Sequence, residues 1–123
     1  MTLLFNSEGY FCEGEVRTKW QFEMQYGIIF LTELELSLIK KTNISLTEIG
    51  GSVDDFHKDY QIPLSKIKKA YSFKQGKIYT VRVETRDQFL FSITMANEKS
   101  YGKKKSIELS ELINAAILNR LKK

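Results

Sequence analysis

A chain of 123 residues has the length of one domain, enough to bury roughly two thirds of the surface its unfolded form exposes, so a single domain over 1–123 is expected, with its core at about 15–121. Apolar residues at 42% and charged residues at 28% sit near globular averages, which excludes an extended disordered chain, and no segment approaches the roughly 20 apolar residues of a spanning helix. A net charge of +4 is too modest for a dedicated nucleic-acid binder, and the sole cysteine, Cys12, excludes an internal disulfide and a thiolate metal site, which suits a reducing, cytoplasmic setting.

In chain order, the first apolar run, Leu3 to Phe5, is too short for a signal-peptide core and has no basic residue before it. From Val16 to Met24, "VRTKWQFEM" sets Val16, Thr18, Trp20, Phe22 and Met24 against Arg17, Lys19, Gln21 and Glu23, which predicts a half-buried strand. Tyr26-Gly27 punctuates. "GIIFLTELELSLIKK" then predicts two strands, the second with Leu34, Leu36 and Leu38 alternating against Glu33, Glu35 and Ser37. Between Thr42 and Gln61 the pattern is less regular. "NISLTEI" reads as a weak strand or loop closed by Gly50-Gly51, and Ser52 then stands before "VDDFHKDY", where Val53, Phe56, His57 and Tyr60 fall at helical spacing and predict a short capped helix.

The stretch "QIPLSKIKKAYSF" admits two readings. On a helical wheel Leu64, Ile67 and Tyr71 share a face flanked by lysines, the pattern of a helix lying on a membrane surface; read in pairs, Ile67, Tyr71 and Phe73 share one face of a strand. Beyond it the period is clearer. "KIYTVRVET" puts Tyr79, Val81 and Val83 on one face, "QFLFSITMA" puts Phe89, Phe91, Ile93 and Met95 on another, and the polar "TRDQ" between them predicts a hairpin. From Ser106 to Leu121 the period becomes 3.6, with Leu109, Leu112, Ile113, Ala116, Ile117 and Leu121 on one stripe and Ser106 as the candidate N-cap.

Two segments carry a resemblance. "YGIIFLTELEL" resembles the glycine, apolar, Leu-Thr, Leu pattern of GRAM and other pleckstrin-homology-like domains, including bacterial ones, and "IPLSKIKKAYSF" resembles the beginning of their following strand. The likeness extends over roughly Val16 to Leu121. It implies a mainly β barrel or sandwich of six to seven antiparallel strands capped by one C-terminal amphipathic helix. It also implies that Ile62, Leu64 and Ile67 feed the core while the lysines among them face solvent. Domains of this kind that hold phosphoinositides use basic residues of the first strand and its loop. Arg17 and Lys19 stand on that strand here, but the loop "EMQYG" has no lysine.

No catalytic constellation is legible. His57 is the single histidine, no glycine-bracketed serine elbow accompanies it, and Asp54 and Asp55 of "DDFHKD" would point to different sides of a helix. Glu13 and Glu15 beside Cys12 disfavour a thiolate. Trp20, Phe22, Phe30, Phe89 and Phe91 stand on the apolar sides of strands and are expected inside, while Gly76-Lys77 and Gly102-Lys103 read as turns. The expectation is therefore a non-enzymatic docking module without a cofactor, bound to a protein partner or to copies of itself. A carrier of a small apolar ligand and a weak binder of acidic membrane surfaces are the alternatives, and the acidic-partner candidates are Arg17, Lys19, Lys66, Lys68, Lys69, Lys103, Lys104 and Lys105.

Overall fold

The computed structural model describes residues 3–15, 24–40, 60–95 and 99–121. Its strands are β1 (Leu3–Glu13), β2 (Gln25–Thr32), β3 (Glu35–Lys40), β4 (Tyr60–Pro63), β5 (Ile67–Gln75), β6 (Ile78–Thr85) and β7 (Leu90–Thr94), followed by one long helix, α1 (Lys103–Leu121). They form a single antiparallel seven-stranded sheet in the order β4-β3-β2-β1-β7-β6-β5. The fold is thus mainly β, sandwich- or barrel-like, and capped by a C-terminal helix.

The strand at the centre of the order was hidden in the sequence. β1 runs 11 residues, with Phe5, Ser7, Gly9 and Phe11 facing inward. Two of those four positions are serine and glycine, so the alternation lacks the apolar contrast by which a strand is recognised. Along its length β1 pairs with β2, and from Tyr10 to Glu13 it also pairs with β7. Gly9 lies opposite Gly27 in this ladder. A Cβ on Gly27 would stand 2.0 Å from the Ile39 carbonyl oxygen, and one on Gly9 would stand 2.8 Å from that of Thr94. Gly27 therefore does not punctuate: it is a buried residue inside β2, where only a missing side chain permits the approach of β3.

The two predicted strands of "GIIFLTELELSLIKK" are β2 and β3, turned by Thr32, whose Oγ1 accepts the backbone N–H groups of Leu34 and Glu35 at 3.2 and 3.1 Å. Leu34 is exposed in this turn, while Leu36, Ser37, Leu38 and Ile39 are all buried, so β3 has no solvent face over those residues. The predicted strand from Val16 lies outside the described residues except for Met24, which is buried. The weak strand or loop at 42–51 and the helix expected at 52–59 also lie outside them. Tyr60, assigned to that helix, instead opens β4. The backbone before Pro63 favours an extended conformation, and the Tyr60 ring stands edge-on between Phe11 and Phe91, with centroids 6.1 and 5.0 Å away.

The lysine-rich stretch is the start of a strand. Ile62, Leu64 and Ile67 are buried, and Lys66, Lys68 and Lys69 are exposed. One 3-10 turn, Leu64–Lys66, leads into β5, whose register against β6 shifts between Ile67 and Lys69. This bulge reverses the alternation. Ala70, not Tyr71 or Phe73, follows Ile67 into the core, and the two aromatic rings are left half-buried on the outer face.

α1 lies against β5 and β6 and buries Leu109, Ile113, Ala116 and Ile117 in the same cluster as Leu64, Ile67 and Ala70, with Leu112 partly buried at its edge. It begins at Lys103, three residues before the expected cap. Ser106 is fully buried and its hydroxyl donates to the Tyr79 carbonyl at 3.2 Å. The three lysines Lys103 to Lys105 disguise this start, since cations oppose the positive end of a helix dipole. Farther along, Asn114 behaves as a surrogate strand: its Oδ1 accepts the Ala70 N–H at 3.0 Å and its Nδ2 donates to the Ala70 carbonyl at 2.7 Å. Asn114→Ala leaves both backbone groups of a buried residue to find other partners. A loss of about 1–3 kcal/mol in urea unfolding is expected, with faster amide exchange at Ala70.

Candidate functional site

β5 is one end of the sheet order, so among the described residues no strand lies beside one side of its backbone. In an antiparallel edge strand the outward N–H and C=O groups belong to alternate residues. Ala70 turns its pair to Asn114, so the next outward pairs are those of Ser72 and Lys74, while Tyr71 and Phe73 bond to β6 across from Arg82 and Thr80. The helix crosses this region obliquely. Ser106 meets β6 at Tyr79 and Asn114 meets the β5 edge at Ala70, and the hydroxyl of Ser110, between them, donates back to Ile107 at 2.9 Å within the helix. The helix clamp thus ends at Ala70, and the strand edge continues past it through Ser72 and Lys74.

The outer face of β5 and β6 is an amphiphilic ladder. The Tyr71 and Phe73 rings lie 6.1 Å apart, the Arg82 guanidinium carbon stands 4.6 Å from the Phe73 centroid, and Lys69 Nζ stands 5.6 Å from that of Tyr71. Such cation–π pairs contribute about 0.5–1 kcal/mol at exposed sites. Two acids complete the row: Glu84 is 3.9 Å from Lys69, and Glu15 is 3.8 Å from Arg82. This face was missed in the sequence because the bulge was missed. Its mark was there in the adjacent exposed pair Lys68-Lys69, which cannot both point to one side of a regular strand.

The candidate basic residues among the described residues do not gather in one patch. Lys66, Lys68 and Lys69 stand at the start of β5, near Arg86, whose N–H donates to the Lys66 carbonyl at 2.8 Å. Lys103 reaches the Tyr79 ring, 5.9 Å from its centroid, and Tyr79 pairs with Lys74 near the other end of β5. Lys68 and Lys74 are separated by about 20 Å at strand rise. Lys105 is half-buried and its Nζ donates to Ser7 Oγ at 3.4 Å, while Lys104 is exposed beside it. Arg17 and Lys19 lie outside the described residues. Phe91 is buried as expected and Phe30 half-buried, but Phe89 is 53% exposed in the turn before β7, not inside. Among the described residues no three metal-type donors cluster, and no helix is long and apolar enough to cross a membrane. No protein-family model matches the chain, and no curated protein matches its sequence.

Proposed function

We propose that this chain is a non-catalytic docking module of pleckstrin-homology-like architecture that binds an extended, acidic segment of a protein partner along β5. The order of the strands, two meanders, β1 to β4 and β5 to β7, joined through the β1–β7 ladder and followed by a capping helix, supports the architecture. The observation that carries the docking reading is the β5 edge beyond the Asn114 clamp, where Ser72 and Lys74 offer backbone groups to an added strand. Lys68, Lys69, Lys74 and Lys77 flank it, and they favour an acidic strand while opposing the same edge of a second copy. The interior is occupied by Phe11, Leu31, Leu38, Val81 and Ile93, all fully buried, which favours binding on the outside over carriage of an apolar molecule within. A cytoplasmic setting belongs to the same reading and rests on the single cysteine.

Selection of displayed random peptides on the folded protein, followed by amide exchange of the complex, tests this. Recovered peptides should be acidic and extended, and should slow exchange at Ser72 and Lys74. Lys74→Pro should abolish their binding and leave the melting midpoint nearly unchanged, because its N–H points away from β6 and serves no bond of the ladder. Peptides that protect another surface, or that bind the proline variant equally, would refute the edge.

A further inference from the structure

At the other end of β5 the outer face deepens into a groove of about 480 Å³ bordered by Glu15, Lys68, Tyr71, Arg82, Arg86 and Phe89. Its parts are held in place by the backbone. Gly14 takes a left-handed φ of 89°, donates its N–H to the Leu90 carbonyl at 2.6 Å and accepts the Ser92 hydroxyl on its own carbonyl at 2.7 Å. This turn folds the end of β1 across β7 and delivers Glu15 to Arg82 on β6. On the opposite wall the buried Thr85 hydroxyl donates to Asp87 Oδ1 at 2.6 Å and accepts the Phe89 N–H at 2.9 Å, while the Thr85 N–H donates to the Phe89 carbonyl at 2.9 Å. Phe89 is therefore presented to solvent from a tied turn, an anchor whose ordering cost is already met in the free protein.

The guanidinium at the floor is incompletely satisfied. Arg82 Nε is buried and has no hydrogen-bond partner among the described residues, and Glu15 Oε1, at 3.8 Å from Nη1, is close enough for attraction and too far for a hydrogen bond. Arginine presents a planar fork of donors matched to a carboxylate, and a buried donor left unused marks a place where a partner belongs. The charge in the groove has the same sense. Glu84 is engaged by Lys69, Glu15 is the acid facing Arg82, and Lys68 and Arg86 stand on the rim as further cations.

We propose that this groove recognises a carboxylate side chain of the acidic peptide, with Glu15 holding that carboxylate's place in the free protein and an adjacent apolar residue of the peptide packing on Phe89. The inference rests on the docking reading above and supplies its specificity. It concerns Arg82, whereas the edge concerns Ser72 and Lys74, so the two can fail separately.

The test is calorimetric titration with acetyl-Val-Glu-Phe-Glu-Val amide and its Gln-for-Glu counterpart, with the Arg82 Nε–H followed by NMR. The acidic peptide should bind and shift that signal, and the glutamine peptide should bind at least about tenfold more weakly. Glu15→Gln removes the internal competitor and should tighten binding about two- to fivefold, the scale of an exposed ion pair. Arg82→Gln should weaken it at least about tenfold, and Arg82→Lys should restore only part, since a lysine keeps the charge without the fork. Glu15 is exposed, so its variant should fold normally even if replacing Arg82 does not. Equal binding of the two peptides, no tightening by Glu15→Gln, or an Arg82 signal unmoved at millimolar acidic peptide would overturn the subsite and leave the edge standing. Glu15- and Arg82-dependent binding of phosphatidylserine vesicles or inositol phosphates with none of the peptide would replace the peptide by a lipid headgroup and overturn it equally.

Discussion

Gly27→Ala is expected to cost more than about 4 kcal/mol and to leave little soluble protein. The added methyl would stand 2.0 Å from the Ile39 carbonyl oxygen and 2.9 Å from a Phe11 ring carbon, and the first of these is backbone. A rotamer change relieves a clash with a side chain; relief here requires β3 to move away from β2 and give up the pairing of Gly27 with Lys40 and Ile28 with Ile39. Gly9→Ala is a built-in comparison. Its Cβ would meet the flexible Ile29 Cδ1 and the Thr94 carbonyl, both at 2.8 Å, so a smaller loss is expected. Urea midpoints of the two variants, with Lys77→Ala as a surface control, provide the measurement. A loss under about 1 kcal/mol for Gly27→Ala would mean that β2 and β3 are not so close as described.

These glycines also show where sequence reading reaches its limit. Periodicity reports side chains, and it located β2, β3, β6, β7 and α1 because each carries spaced large apolar residues on its buried side, Ile29 and Leu31, Leu36 and Leu38, Val81 and Val83, Phe91 and Ile93, and Leu109, Ile113 and Ile117. It passed over β1, whose buried positions include Ser7 and Gly9, and it read Gly27 as a break because a glycine chosen for close backbone approach looks the same as one chosen for a turn. The lysine-rich stretch was resolved correctly into buried Ile62, Leu64 and Ile67 and exposed lysines, yet the faces beyond it were assigned one residue out. One extra residue at the bulge turns Tyr71 and Phe73 from the core to the surface, where they meet Arg82 and Lys69. The groove is less legible still, since it joins Glu15, Arg82 and Phe89 from three places in the chain, and nothing local in any of the three announces the others.

Ile113→Ala tests how far the candidate edge depends on the helix. Ile113 is fully buried and sits one helical turn from both Leu109 and Ile117 on the stripe that packs with Leu64, Ile67 and Ala70. Truncating it removes most of a buried side chain and leaves a cavity, a change that typically costs about 2–5 kcal/mol of the roughly 5–15 available to a domain, so the melting midpoint should fall by many degrees. Ile113→Val should cost only about 0.5–1.5 kcal/mol, and Leu118→Ala, at a residue 57% exposed, almost nothing. The consequence for β5 is the sharper readout. Asn114 is the neighbour of Ile113, and it holds the Ala70 backbone only while the helix keeps its seat. Under native conditions the alanine variant should therefore expose the Ala70 amide together with the α1 amides, at lower free energy than the amides of β2 and β3, which the helix does not clamp. An Ala70 amide that stays as protected as those of β2 and β3 while α1 opens would show that β5 needs no clamp, and that the edge beyond Ala70 is set by the sheet alone.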